Sequence, residues 1–168
     1  KIFLTQLEVP QEVTLHCLKK AKENNVLTIL NPAPASKISN EFFKYIDYFT
    51  PNETEAEFYT GIKISNEKEA KEASTKLLNL GLKKVIITLG DKGLFYSDGK
   101  VDIYIKALSL NKVLDTTGAG DAFNGGLAFA LCENKPIKEA LSLANQVAGI
   151  STLKLGAGNS MPTLKDLS

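Results

Sequence analysis

Five-residue apolar runs, set between longer stretches of helical period, constrain this chain most. Residues 26–30 (Val-Leu-Thr-Ile-Leu) and 85–89 (Val-Ile-Ile-Thr-Leu) are almost continuously apolar, without the alternation of a strand that has one wet face. Such strands need cover on both sides, which is the condition of a parallel sheet flanked by helices. The neighbouring segments supply that cover. Residues 11–24 repeat Val13, Cys17, Leu18 and Ala21 at helical spacing, and residues 67–80 do so with Ala70, Ala73, Leu77 and Leu80. Asn66 or Ser65 caps the second of these helices and Gly81 ends it. Further strands are expected at 2–7, near 48–50, and at 94–97 and 101–105, the last two as a hairpin across Asp98-Gly99. Helices are expected near 41–46, over 53–59 between Asn52 and Gly61, over 122–133, and from Pro136 towards Lys154. Strands alternating with helices predict an α/β architecture, read as one domain over residues 1–168.

The charge balance excludes some partners. Twenty lysines and arginines face 19 acidic residues, a formal charge of +1, which gives no electrostatic case for nucleic acid or an anionic membrane. Cys17 and Cys132 lie in apolar helical patterns and read as buried free thiols, in keeping with a reducing cytoplasm. No apolar run reaches membrane-spanning length. His16, the one histidine, reads as a surface residue. A lysine opens the chain and a strand begins at once, so the sequence reads as part of a longer polypeptide.

The chemistry concentrates in Asp115-Thr116-Thr117-Gly118-Ala119-Gly120-Asp121-Ala122-Phe123-Asn124-Gly125-Gly126. Gly118 and Gly120 bracket Ala119, so the backbone can curl and aim successive N–H groups at one point. Phe123, Leu127, Ala130 and Leu131 then recur at helical spacing, which puts those amides at a helix N-terminus and makes an anion site. Asp121 could be a simple helix cap. Beside a bound phosphate, however, a carboxylate needs a partner such as a substrate hydroxyl, and the pair suggests phosphoryl transfer to an alcohol. There is no G-x-x-x-x-G-K-[ST] loop, which speaks against a P-loop kinase, and no His/Cys cluster for structural zinc. Gly118-Ala119-Gly120 also lacks the third spaced glycine of a dinucleotide-binding turn.

That run closely resembles the C-terminal signature of the ribokinase-like (PfkB) carbohydrate kinase family, whose core reads D-T-x-G-A-G-D. Pro51-Asn52-Glu53-Thr54-Glu55 resembles the family's N-E-x-E motif, Thr88-Leu89-Gly90-Asp91-Lys92-Gly93 its T-L-G-x-x-G turn, and Asn31-Pro32-Ala33-Pro34-Ala35 and Gln6-Leu7-Glu8 its strand-end segments. The resemblance implies a three-layer αβα sandwich with a mostly parallel sheet. It also implies that the chain is the nucleotide-binding, catalytic C-terminal part of such a kinase, with the N-terminal half and lid missing. The activity implied is ATP-dependent phosphorylation of D-ribose at O5, giving ribose 5-phosphate, with this chain alone incomplete.

In that reading Asp121 is the general base and contacts the sugar, and Gly118, Ala119 and Gly120 form the anion hole. Glu8 is a second sugar contact. Asn52, Thr88, Gly90, Asp91, Lys92, Gly93, Gly120 and Asn145 bind the nucleotide. Glu55 organises Mg2+ through water, and Asp115, Thr117, Ser151, Lys154, Gly156 and Ser160 form a loop for K+, bound mainly through backbone carbonyls. On residues alone, Asn52 and Glu55 are equally well explained as a capping box. The partners implied are ribose and ATP, and family members often dimerise, so a homodimer is compatible with the complete enzyme. Two rivals stand beside this reading. One is a family kinase for another sugar or nucleoside, such as a deoxyribokinase or fructokinase. The other is a non-catalytic nucleotide-binding fragment.

Overall fold

A computed structural model of the chain describes residues 1–110 and 112–167. Its strands are β1 (Ile2–Thr5), β2 (Leu27–Leu30), β3 (Tyr48–Phe49), β4 (Val85–Thr88), β5 (Leu94–Ser97) and β6 (Asp102–Ile105). Its α-helices are α1 (Gln11–Glu23), α2 (Glu53–Thr60), α3 (Glu67–Asn79), α4 (Ala119–Cys132) and α5 (Ile137–Ser151). Single 3₁₀ turns occupy Phe42–Tyr45, Gly90–Lys92 and Leu164–Leu167. The sandwich expected to lack an N-terminal half and lid is corrected here: its elements are laid down over essentially the whole chain, from Ile2 to Leu167.

The six strands form one sheet in sequential order. β1, β2, β3 and β4 pair in parallel, with Phe3 opposite Thr28, Leu30 opposite Phe49, and Phe49 opposite Val85. Each parallel step needs a crossover, which α1, the 38–46 segment and the α2–α3 pair provide. β5 and β6 are joined by a short turn, which only antiparallel strands allow. Asp98 shapes that turn by accepting the amides of Lys100 (2.9 Å) and Val101 (2.8 Å).

The chain divides into two compact units, Lys1–Leu89 with Phe95–Tyr104, and Gly90–Leu94 with Ile105–Ser168. In the first, Leu18, Leu30, Ile46, Phe49, Leu77 and Ile87 are fully buried in one core. In the second, Phe123, Leu127 and Ala130 of α4 are buried, as are Ala140, Leu141 and Ala144 of α5.

Two helices bury most of the expected face, Leu18 and Ala21 of α1 and Ala70, Ala73 and Leu77 of α3, and differ at its edges. α1 buries Thr14, Leu18 and Ala21 and leaves Val13 exposed, and α3 buries Ser74 while Leu80 lies outside its end, exposed. The two cysteines are free thiols as expected, but Cys17 is half-buried and Cys132 exposed. Asn66, not Ser65, caps α3 by accepting the Glu69 amide. Among the described residues no helix is long and apolar enough to cross a membrane.

Candidate active site

In the first unit the polar residues gather where β1 to β4 end. Asn31, buried at the end of β2, donates its amide to the Thr50 carbonyl (3.0 Å), and its main-chain N–H donates to Thr5 (3.0 Å). One residue thereby ties together the ends of three strands. The Leu7 amide bonds the Ala33 carbonyl (2.8 Å), holding the Gln6-Leu7-Glu8 bend against the Asn-Pro-Ala-Pro-Ala segment, whose Ala33–Pro34 bond is cis. Glu8 is exposed at that bend. Sheet ends of this kind, at strand carboxyl termini, are where ligands bind in open α/β folds.

Asn52 and Thr88 form a parallel bridge, and the Thr88 amide bonds the Pro51 carbonyl (3.0 Å). The two motifs therefore meet through their backbones. Asn52 caps α2: Asn52 Oδ1 accepts the Glu55 amide (2.8 Å) and Glu55 Oε2 accepts the Asn52 amide (2.8 Å). The capping box is real and uses Oε2 of Glu55. Burial raises the Glu55 carboxyl above its ordinary pKa, and the Asn52 amide opposes that rise. Tyr59, one turn further along α2, donates its hydroxyl to the Ser36 carbonyl (2.7 Å) and is pushed up to about 12 by burial.

In the second unit the glycine run is built differently from its expected form. α4 starts at Ala119, three residues before the expected Ala122, so the glycine turn is itself the first helical turn. Gly118 is the N-cap, in the left-handed region at φ 77°. A side chain there would meet Ala157 and Met161, with Cβ contacts of 3.1 Å to each. Asp121 thus occupies the third helical position, and it is exposed. Helix geometry leaves first-turn amides without intrahelical acceptors. The Ala119 amide is engaged by the Thr116 carbonyl (3.1 Å), so of the three amides expected in the anion hole this one already has an acceptor. Gly120 is exposed, and a Cβ built on it meets no heavy atom within 4 Å.

Asp115 fastens the approach to this turn. Its Oδ1 accepts the Thr117 amide (2.9 Å) and its Oδ2 the Gly156 amide (2.9 Å). The Thr117 side chain and amide, followed by the Gly156 amide, hold its carboxyl below the usual carboxylate range. The Leu114 amide adds a bond to the Thr152 carbonyl (2.8 Å). Asp115, Thr117 and Gly156 are therefore brought together, and Ser151 and Ser160, which flank Gly156 in sequence, are buried, each hydroxyl donating to its own turn (Ala148 and Ala157 carbonyls). Lys154 is exposed, 4.0 Å from Asp166.

The Gly90–Lys92 turn leaves Gly90, Asp91 and Lys92 exposed, and Gly93 is buried against the 105–107 backbone. Asn145 on α5 donates its side-chain amide to the Lys106 carbonyl (2.8 Å).

A description of the pfkB family of carbohydrate kinases matches residues 4–164. The chain belongs to this family. The pfkB resemblance was expected to hold only for a C-terminal part, and the match corrects that, since it covers nearly the full length of the chain. A ribokinase of Haemophilus influenzae is 42% identical over 98% of this chain and 53% of its own length. A deoxyribokinase of Salmonella typhi is 31% identical over 100% of this chain and 55% of its own. The structure of Arabidopsis thaliana ribokinase complexed with ribose and ATP superposes with a TM-score of 0.94 at 34% identity, over 99% of this chain and 54% of that one. The chain thus spans about half the length of the relatives it matches.

Two polar residues of the pfkB fold here escaped a reading by motif. Asn31 was visible only as part of its pentapeptide, and Asn124 only as one letter in the glycine run. Asn124 is buried on α4 among apolar neighbours, and a polar residue on an apolar face is the signal that marks it.

Proposed function

We propose that the protein transfers the γ-phosphoryl group of ATP to O5 of D-ribose, and that this chain carries its nucleotide-binding and phosphoryl-transfer residues. The observation that carries the proposal is the mouth of α4 on a chain of the pfkB family: a left-handed glycine cap, an open Gly120, and Asp121 exposed in the first turn. Similarity to proteins named ribokinase, one of them solved with ribose and ATP, supports the choice of sugar.

Asp121 accepts a hydrogen bond from O5–H and orients that oxygen towards the phosphorus. As the O5–P bond forms and the bond to the leaving ADP oxygen breaks, the O5 proton passes to the Asp121 carboxylate. A loose transition state needs little proton removal beforehand, so aiming is the larger part of the task. The Gly118 and Gly120 amides, with the positive end of α4, stabilise charge on the moving group, and Ala119 helps by fixing the turn through Thr116. Glu8 contributes to the sugar site. Asn52, Thr88, the exposed residues Gly90, Asp91 and Lys92 with Gly93, and Asn145 serve the nucleotide.

The donor set fits the metals the family implies. Glu55 would hold Mg2+ through water with its carboxylate, and the ion would neutralise charge on the phosphates. Asp115, kept anionic by its amide partners, and backbone carbonyls at Thr117, Ser151, Lys154, Gly156 and Ser160 offer an all-oxygen set for K+. Two free thiols accord with a cytoplasmic enzyme.

The test is ribose-dependent release of ADP from MgATP, with ribose 5-phosphate identified by phosphorus NMR. Asp121→Asn should lower kcat by about 10²- to 10⁴-fold while ATP binding persists. Undiminished turnover by the variant would remove Asp121 from the mechanism.

A further inference from the structure

The mouth of α4 contains a residue whose position chemistry alone does not explain. Gly120 has no side chain of its own to pack, and outside the backbone of its own helix and its chain neighbours no heavy atom stands within 4 Å of where a Cβ would be, so no side-chain packing at residue 120 steadies this peptide. Asn124 lies one turn further on, 2% exposed in a helix whose other buried residues are Ala122, Phe123, Gly126, Leu127 and Ala130. Its Nδ2 donates to the Gly120 carbonyl (2.9 Å). That carbonyl belongs to the peptide unit whose other end is the Asp121 N–H, so the bond fixes the plane from which the Asp121 side chain departs. A buried asparagine mid-helix is otherwise a poor choice, because its amide must be satisfied and its helix propensity is low.

Resting on the kinase reading, we propose that Asn124 is a positioning residue for phosphoryl transfer. Its side-chain amide clamps the Gly120–Asp121 peptide through the Gly120 carbonyl, so that Asp121 and the first-turn amides meet the reacting atoms in one geometry. The backbone N–H of Asn124 is placed by helix geometry to serve the same carbonyl. Removing the side-chain donor therefore leaves the Gly120 oxygen with an acceptor role in the helix, and the loss falls on rigidity.

The experiment uses the full-length enzyme with Asn124→Leu, which removes the donor at similar volume, and Asn124→Ser, whose hydroxyl can donate to the same carbonyl. The expected result has four parts. Asn124→Leu loses about 10- to 100-fold in kcat. Its KM values for ribose and ATP stay within about twofold of the parent, as expected when only a transition-state interaction is lost. Its Tm is not lowered. Hydrogen exchange of the amides at 119–122 is faster than in the parent, and Asn124→Ser recovers most of the rate. An unchanged kcat for Asn124→Leu overturns the proposal. So does a kcat that falls with Tm in both variants without recovery in the serine form, which marks a structural residue only. If the unsubstituted enzyme shows no ribose-dependent transfer, the kinase reading fails by itself. The clamp is then judged by exchange alone, and unchanged protection at 119–122 overturns it.

Discussion

At Gly93 the backbone leaves no room for any side chain. A β-carbon there would overlap the Ile105 carbonyl oxygen and lie 2.6 Å from the Ala107 nitrogen, and the residue sits at φ 105°. These are backbone atoms of one segment, and they cannot step aside as a side chain could. Gly93→Ala should therefore cost about 3 kcal/mol or more of stability, read as a lower urea midpoint. Gly120→Ala is the matched control: with open space around it, its folded stability should change by less than about 1 kcal/mol. Equal stability of the two variants would show that the 105–107 segment does not press on the turn. At this scale the sequence marks a glycine turn but not what packs against it. Thr88-Leu89-Gly90-Asp91-Lys92-Gly93 reads as a nucleotide turn, and nothing local says that its last glycine is held by a segment a dozen residues later.

Between elements, Asp47 performs the corresponding task with charge. It precedes β3 and accepts from Lys22 at the end of α1 (2.7 Å), Lys83 before β4 (3.0 Å) and the Thr28 amide in β2 (3.0 Å). Burial would raise its carboxyl pKa, but the bonds from Lys22, Thr28 and Lys83 outweigh burial and hold it at about 2, below the ordinary 3.8. The folded value is depressed, so the stabilisation is present above about 3.8 and is lost as pH falls through about 2. After allowance for solvent screening it amounts to about 1–2 kcal/mol. Unfolding free energy should fall over that window, and Asp47→Asn should be less stable at neutral pH with a flatter acid limb. An acid limb of the same slope in both proteins would assign the effect to other carboxylates. Element boundaries show why such links were hidden from the sequence. α4 was expected from Ala122, where the apolar helical spacing begins, with Gly118-Ala119-Gly120 as a turn before it, yet that turn is itself helical from Ala119, held by Thr116 and Asn124. β1 was expected to reach Leu7 but ends at Thr5, after which the Leu7 amide bonds Ala33 in place of a strand partner. Val13 and Leu80 match the helical period and remain exposed, since periodicity marks a stripe but not its edge. The buried strands at β2 and β4 and the capping box at Asn52 were plain, because each depends only on neighbours in the sequence.

For the whole molecule, similarity is spread along the chain and not confined to its motifs. Identity to a ribokinase holds at 42% over 98% of the residues, against 31% for a deoxyribokinase. On the reading proposed above, the full-length enzyme should turn over ribose with a kcat/KM about tenfold or more above that for 2-deoxyribose in a coupled ADP assay, as when a site hydrogen-bonds a hydroxyl that the analogue lacks. A preference for 2-deoxyribose would move the chain to the other branch. Strand order could not be read from periodicity, which places strands without saying which neighbours pair, and the sequential order of the sheet is a result of the fold. The cap at Gly118 has a consequence that reaches down the chain. Its Cα faces Ala157 so closely that the two positions share one small volume, with Met161 closing the third side. Replacement of Ala157 by a bulkier residue would wedge open the mouth of α4 from outside, so a position with no assigned chemistry is bound to stay small for as long as the turn it abuts keeps its shape.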